Sequence, residues 1–166
     1  MKNALILIAI LISSFISNAQ GNLPEFNDKP VYFDSKTKQI NELEKSQYNT
    51  IAKAKGLFSA ESGFFLKGIS SNIKIPKQEE LTFIVKVAPG TDPTSVFDLV
   101  QFEVRKDQRV FITSKAKATS STTSFEKINY GVKKIKEGYY YLTIKNLNSG
   151  EYFFGSNDFM FAFSVE

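Results

Sequence analysis

Cysteine and histidine are absent from all 166 residues, tryptophan is absent too, and only two of the 21 basic residues are arginine, Arg105 and Arg109. Each absence narrows the chemistry. Without cysteine there are no disulfides, no thiol nucleophile and no cysteine-based zinc site, so the fold must hold by its core alone. Without histidine the commonest general base and the commonest metal ligand are missing. A basic set made almost wholly of lysine lacks the planar donor fork that grips phosphate. Dispersed lysines and a formal charge of +4 favour solubility rather than a nucleic-acid partner.

Long apolar runs are scarce, with one exception at the start. Lys2 precedes an uninterrupted apolar run from Ala4 to Ile12, and Ser17-Asn18-Ala19 follows. A basic start, a short apolar stretch and a small-x-small end make a secretory signal peptide, with cleavage expected between Ala19 and Gln20. The competing reading is a membrane anchor, but Ala4 to Ile16 falls short of the roughly 20 apolar residues that a helical span needs. Residues 1–19 are therefore read as a leader, the mature chain is expected in the periplasm or outside the cell, and no transmembrane segment is expected in it. Removing 19 residues from 166 leaves 147, enough for one domain with a sizeable core.

What is abundant is aromatic: 16 Phe and seven Tyr. They recur with period two, the mark of a strand with one buried face. Leu81, Phe83, Val85 and Val87 alternate with Thr82, Ile84 and Lys86. Val100, Phe102 and Val104 follow the same rule, then a turn at Lys106-Asp107-Gln108 and a return strand from Val110 to Thr113. Ile128, Tyr130 and Val132, then Tyr140, Leu142 and Ile144, continue it, with a turn at Glu137-Gly138. Gly150 to Phe154 and Phe159 to Val165 are the last two strands, and Phe159, Phe161, Phe163 and Val165 share one face. Ala88 to Pro93 is a turn cluster. Earlier, Pro30 to Asp34 and Gln39 to Glu44 read as a hairpin, and Ser46 to Lys55 as a short helix or loop. Lys115 to Ser124, small and polar throughout, reads as a mobile loop.

Seven to nine short strands with turns between them predict an all-β, antiparallel sandwich or barrel, with an immunoglobulin-like sandwich ahead of other sandwiches and barrels. Residues 20–62 would form an N-terminal hairpin, short helix and linker packed on a sandwich of residues 63–166. The segment Leu147 to Tyr152 sharpens the assignment: Leu-x-x-Gly-x-Tyr between two strands matches a tyrosine corner, with Gly150 and Tyr152 as its structural residues.

Several stretches carry a family likeness: Pro30-Val31-Tyr32-Phe33-Asp34 with Leu43-Glu44-Lys45, Phe102 to Lys106, Ser149 to Phe154, and the end Phe161 to Glu166. In these the chain resembles a family of uncharacterised exported β-sandwich proteins of Bacteroidetes, as does its leader ending Ser-Asn-Ala-Gln. That family tends to place Pro before the corner glycine, where this chain has Ser149. The resemblance implies fold and export, and no activity.

Chemistry is sparse. Ser-x-x-Lys occurs at Ser35/Lys38, Ser71/Lys74, Ser114/Lys117 and Ser124/Lys127, but strand spacing points such groups apart and the partner motifs of Ser-Lys enzymes are missing. Glu103, Glu126, Glu137, Glu151 and Asp158 could supply a carboxylate pair for a hydrolase only if the fold brought two together. Neither Asp92/Asp98 nor Asn157-Asp158 has the acid density of a calcium loop, and no phosphate-binding glycine loop occurs. No catalytic residue, metal ligand or cofactor is therefore assigned. Tyr139 and Tyr141 remain: if Tyr140 faces the core, they point outward together, as a protein contact or a sugar platform, unless lysine stems lie over the rings. Lys133, Lys134 and Lys136 read as guards of an edge strand. The leading expectation is a non-enzymatic exported module that contacts another envelope protein. A carbohydrate-binding module with a polysaccharide partner is the alternative, and a hydrolase with a carboxylate pair comes third.

Overall fold

The computed structural model describes residues 23–54, 59–117, 120–123, 125–156 and 159–166. The expected leader, 1–19, lies outside them. In chain order the strands are β1 (Val31–Asp34), β2 (Gln39–Glu42), β3 (Glu44–Ser46), β4 (Asn49–Ala54), β5 (Ser59–Lys67), β6 (Lys74–Ile75) and β7 (Glu80–Lys86). After one turn of 3-10 helix at Pro93–Ser95 come β8 (Asp98–Gln101), β9 (Glu103–Arg105), β10 (Gln108–Lys117) and β11 (Ser120–Thr123). The last four are β12 (Gly131–Lys136), β13 (Tyr139–Lys145), β14 (Gly150–Gly155) and β15 (Met160–Val165).

They form three sheets. The first runs β12-β13-β7-β1-β2, the middle one β3-β15-β14-β8, and the third β11-β10-β5-β4. All pairings are antiparallel except the short β6, which lies parallel to β15. The all-β, antiparallel expectation holds. The short helix or loop expected over Ser46 to Lys55 is instead strand β4, paired along its length with β5. The loop expected over Lys115 to Ser124 is replaced by the β10–β11 hairpin, with Lys115 opposite Thr122 and Ala116 opposite Ser121. Thr is a good strand former, and the ladder gives its backbone the partners that the polar composition hid. The boundary expected between Ser62 and Gly63 falls inside β5, and residues 31–54 supply strands to all three sheets.

Alternation along the strands builds two cores. Phe83 from the first sheet meets Phe154 and Phe163 from the middle sheet, each at a ring-centroid distance of 5.0 Å. Leu81, Val85, Leu142 and Ile144 pack around them. The opposite face of the middle sheet carries Val100, Phe153, Met160 and Ala162, which pack on Leu66, Phe64 and Phe111 of the third sheet. Covered on both sides, β15 is buried at all six residues. Each such aliphatic or aromatic side chain contributes about 1.5–3 kcal/mol by leaving water.

Two polar clusters tie the layers. Arg109 on β10 is 2% exposed and binds Glu44 on β3 through both of its terminal nitrogens. Glu151 on β14 accepts from the Ser71 N–H at 2.8 Å and from the Ser164 hydroxyl at 2.6 Å. Both carboxylates are largely withdrawn from water and partnered, as such groups must be.

Candidate functional site

The chain crosses from the middle sheet to the third at Phe102, between β8 and β9. Beyond that crossing the two sheets part, because β10 continues past its pairing with β9 while the segment 125–130 runs beside β8, where the Ile128 N–H donates to the Leu99 carbonyl. The opening holds two clefts, of about 580 and 560 Å3, which share Val100, Phe111, Phe125 and Lys127. Sharing these four residues, they adjoin to make one trough.

A row of four aromatic rings forms its floor. Tyr48, just before β4, meets Phe64 edge-on at 4.5 Å. Phe64 on β5 stands directly opposite Phe111 on β10. Phe111 in turn meets Phe125 edge-on at 5.3 Å. Cross-strand neighbours on one face of a sheet are held in this relation by the ladder itself. Phe111 also rests on Phe153 at 5.3 Å, which anchors the row in the second core. Tyr48, Phe64 and Phe111 are half-buried, and Phe125 is 39% exposed.

Polar groups line the rim. Thr94, Ser95 and Asp98 stand at one end, and Gln101, Glu126 and Asn129 at the other. Asp92 caps the 3-10 turn by accepting from the Thr94 N–H at 2.9 Å, which fixes the first of these. Lys127 pairs with Asp98 at 2.7 Å and lies 5.6 Å from the Phe125 ring centre. Glu103 pairs with Arg105, whose hydrogen bonds hold it below the usual carboxylate range. Beside the trough, burial together with the negative charges of Asp98 and Asp92 pushes the Tyr130 hydroxyl up to about 12.

The residues singled out from the sequence lie elsewhere. Tyr140 packs against the first core, while Tyr139 and Tyr141 lie on the outer face of the first sheet. Neither ring is bare: Lys86 and Lys136 approach Tyr139 to 5.6 and 4.8 Å, and Tyr141 lies 6.0 Å from Phe33. Tyr152 donates its hydroxyl to the Asn148 carbonyl at 2.9 Å, and a Cβ on Gly150 would come within 3.4 Å of the Tyr152 ring. Of the carboxylates weighed for hydrolysis, Glu151 is buried on Ser71 and Ser164, Glu103 binds Arg105 and Glu137 binds Lys134. Asp158 lies outside the described residues. Among the described residues no group of three or more acidic, histidine or cysteine side chains could hold a metal ion. Among them, too, no helix is long and apolar enough to cross a membrane.

Sheet edges differ in how they are guarded. On the first sheet the edge strand β12 carries Lys133, Lys134 and Lys136, as expected. On the third sheet the edge strand β4 has one charge, Lys53, in six residues, and all but Ile51 are exposed. Sequence reasoning missed both this edge and the aromatic row. The row is assembled from four separate segments, and its only sequence signal was a set of aromatics without an assigned partner.

A scan against protein-family models finds no match, and neither does a search of curated proteins or of solved structures.

Proposed function

We propose that the protein is an exported, non-enzymatic module of immunoglobulin-like sandwich type that works by protein contact in the cell envelope. The observation that carries this reading is the edge strand β4, which among the described residues presents a free ladder edge with a single lysine. Proteins usually blunt such edges, because an unpaired row of N–H and C=O groups is a template for another strand. An extended segment of a partner would add to β4 through main-chain hydrogen bonds, with Thr50, Ala52 and Ala54 too small to obstruct it. The basic, apolar and small-x-small order of the first 19 residues supports export. The bond from Tyr152 to Asn148, the geometry of a tyrosine corner, supports the immunoglobulin-like type.

The sugar platform first read at Tyr139 and Tyr141 has less support, since two lysines lie against the Tyr139 ring and Phe33 stands beside the Tyr141 ring. The hydrolase reading has less again, because Glu103, Glu137 and Glu151 are each held by a structural partner.

The test is crosslinking of the tagged protein in its native envelope, comparing wild type with Ala52→Lys/Ala54→Lys. One dominant partner, captured by wild type and lost in the double variant at unchanged melting temperature, is expected. Equal capture by both proteins, or none by either, would overturn the reading.

A further inference from the structure

The trough between the middle and third sheets is independent of the β4 edge and has its own chemistry. We propose that it binds a neutral saccharide chain, with successive sugar rings lying along Tyr48, Phe64, Phe111 and Phe125 and their hydroxyls bonded at the rim. Three observations carry this, the first being shape. The two clefts adjoin at Val100, Phe111, Phe125 and Lys127 and are open to solvent, which suits an extended chain better than a compact molecule. Each falls in the range of about 300–1,000 Å3 typical of ligand sites.

The second is the alternation of surface types. Edge-to-face contacts at ring-centroid distances of 4.5 and 5.3 Å set neighbouring aromatic bodies about one sugar ring apart, so that a chain laid along them would meet ring faces and ring edges in turn. The apolar C–H face of a pyranose rests on such rings, while its equatorial hydroxyls need donors and acceptors at the edges. Gln101 and Asn129 supply both, Asp98 and Glu126 supply acceptors, and Thr94 and Ser95 supply hydroxyls. A purely apolar ligand would leave this rim to water and gain nothing from it, whereas sugar hydroxyls would bond to it.

The third is charge. Among the described residues that line the trough the one cation is Lys127, and Asp98 already neutralises it at 2.7 Å. Glu126 and Glu103 also line it, the latter paired with Arg105, so the described lining carries more acid than base. An acidic glycan, a fatty acid or a phosphate would be disfavoured there, which leaves a neutral glycan as the saccharide that fits.

The chain has no tryptophan, so Phe125→Trp gives a single indole reporter inside the trough. Cellohexaose, xylohexaose and laminarihexaose would be titrated against it, with hexagalacturonate and decanoate as charged and apolar comparators. The same titrations on the unaltered chain by calorimetry guard against damage from the reporter. Saturable binding of at least one neutral hexasaccharide is expected, weakened about tenfold by Tyr48→Ala and unchanged by Ala52→Lys/Ala54→Lys. No binding of any neutral hexasaccharide to the folded protein would overturn the proposal. So would binding confined to hexagalacturonate or decanoate, or an affinity that Tyr48→Ala leaves intact. Failure here leaves the β4 contact standing, and failure there leaves the trough.

Discussion

The guanidinium of Arg109 on β10 holds the carboxylate of Glu44 on β3 by two parallel hydrogen bonds, of 3.0 and 2.8 Å. It also donates to the carbonyls of Gly68 and Lys67 at 3.3 Å each and lies 5.7 Å from the Phe102 ring centre. One side chain thus joins the third sheet to the edge of the middle sheet, close to where the chain crosses between them. Arg109→Ala would leave Glu44 charged, half-buried and without its main partner. Removing one member of a buried pair costs about 3–5 kcal/mol, and denaturant unfolding should show a loss of that size.

The same pair sets an acid limit. Burial works to raise the Glu44 carboxyl, but hydrogen bonds from Arg109, Ser71 and Ser46 and the charge of Arg109 outweigh it, so the net shift is downward. A carboxylate depressed in the folded state stabilises the fold above its unfolded value, near 4.3, and that contribution is lost as pH falls through the lower folded value. The melting temperature should therefore drop below about pH 4.3. Glu44→Gln should be less stable at neutral pH and should lose less on acidification. Equal acid slopes for both proteins would contradict this account.

The corner gives a smaller, separable effect. Tyr152 is buried, stacks on Phe163 at 5.7 Å and donates to Asn148. Tyr152→Phe keeps the ring and removes one hydrogen bond, so a loss of about 1 kcal/mol is expected. Tyr152→Ala would also open a cavity between the first and middle sheets, and should cost about 3–5 kcal/mol. Equal losses from the two substitutions would mean that the hydroxyl, not the ring, carries the corner.

How far the sequence could be read depended on how each strand is covered. On β7 and β13 one face is packed on the core, and their period-two pattern was plain from Leu81 to Val87 and from Tyr140 to Ile144. On β15 the face of Phe161, Phe163 and Val165 was legible, but Met160 and Ala162 are buried as well, against a third sheet that the pattern did not reveal, and Ser164 is buried on Glu151. A strand covered twice reads as a continuous apolar run, which periodicity alone does not assign. On β10 and β11 the residues from Lys115 to Thr123 are small, polar or charged, so strand pairing there rests on backbone bonds that composition does not encode. The trough was hidden for another reason: Tyr48 and Phe125 lie 77 positions apart and meet one floor only through the β5–β10 register.

At the alkaline end the limiting group is Tyr130. Its hydroxyl donates to the Phe97 carbonyl at 2.7 Å, and its value is pushed up to about 12 by burial and by the charges of Asp98 and Asp92. A group raised in the folded state contributes stability in full below its unfolded value, near 10, and loses it as pH rises toward the folded one. Absorbance titration of the phenols should show a delayed phase near pH 12. Tyr130→Phe should remove that phase and flatten the fall in stability between about pH 10 and 12. Persistence of the phase in the variant would assign it to Tyr32 or Tyr152, which burial also raises.

Gly63 tests the frame on which the aromatic row is built. The β5–β10 ladder shifts register between Ile112 and Ser114, so Thr113 is an extra residue and β10 bends beside Gly63. A Cβ on Gly63 would overlap the Phe111 carbonyl oxygen and lie 2.9 Å from the Ile112 Cα. Both are backbone atoms of a paired strand, so no side chain can swing away to make room. Gly63→Ala must push β10 from β5, and a loss of about 1–3 kcal/mol is expected by analogy with overpacked cores. The displacement falls on Phe111, the second-to-last ring of the row. Single-tryptophan emission from Phe125→Trp should therefore shift in the Gly63→Ala background while the first core stays intact, as read by protection of the β13 amides from exchange. If Gly63→Ala kept native stability and left the emission of the Phe125→Trp reporter unchanged, the bulge would not be what sets the position of the row.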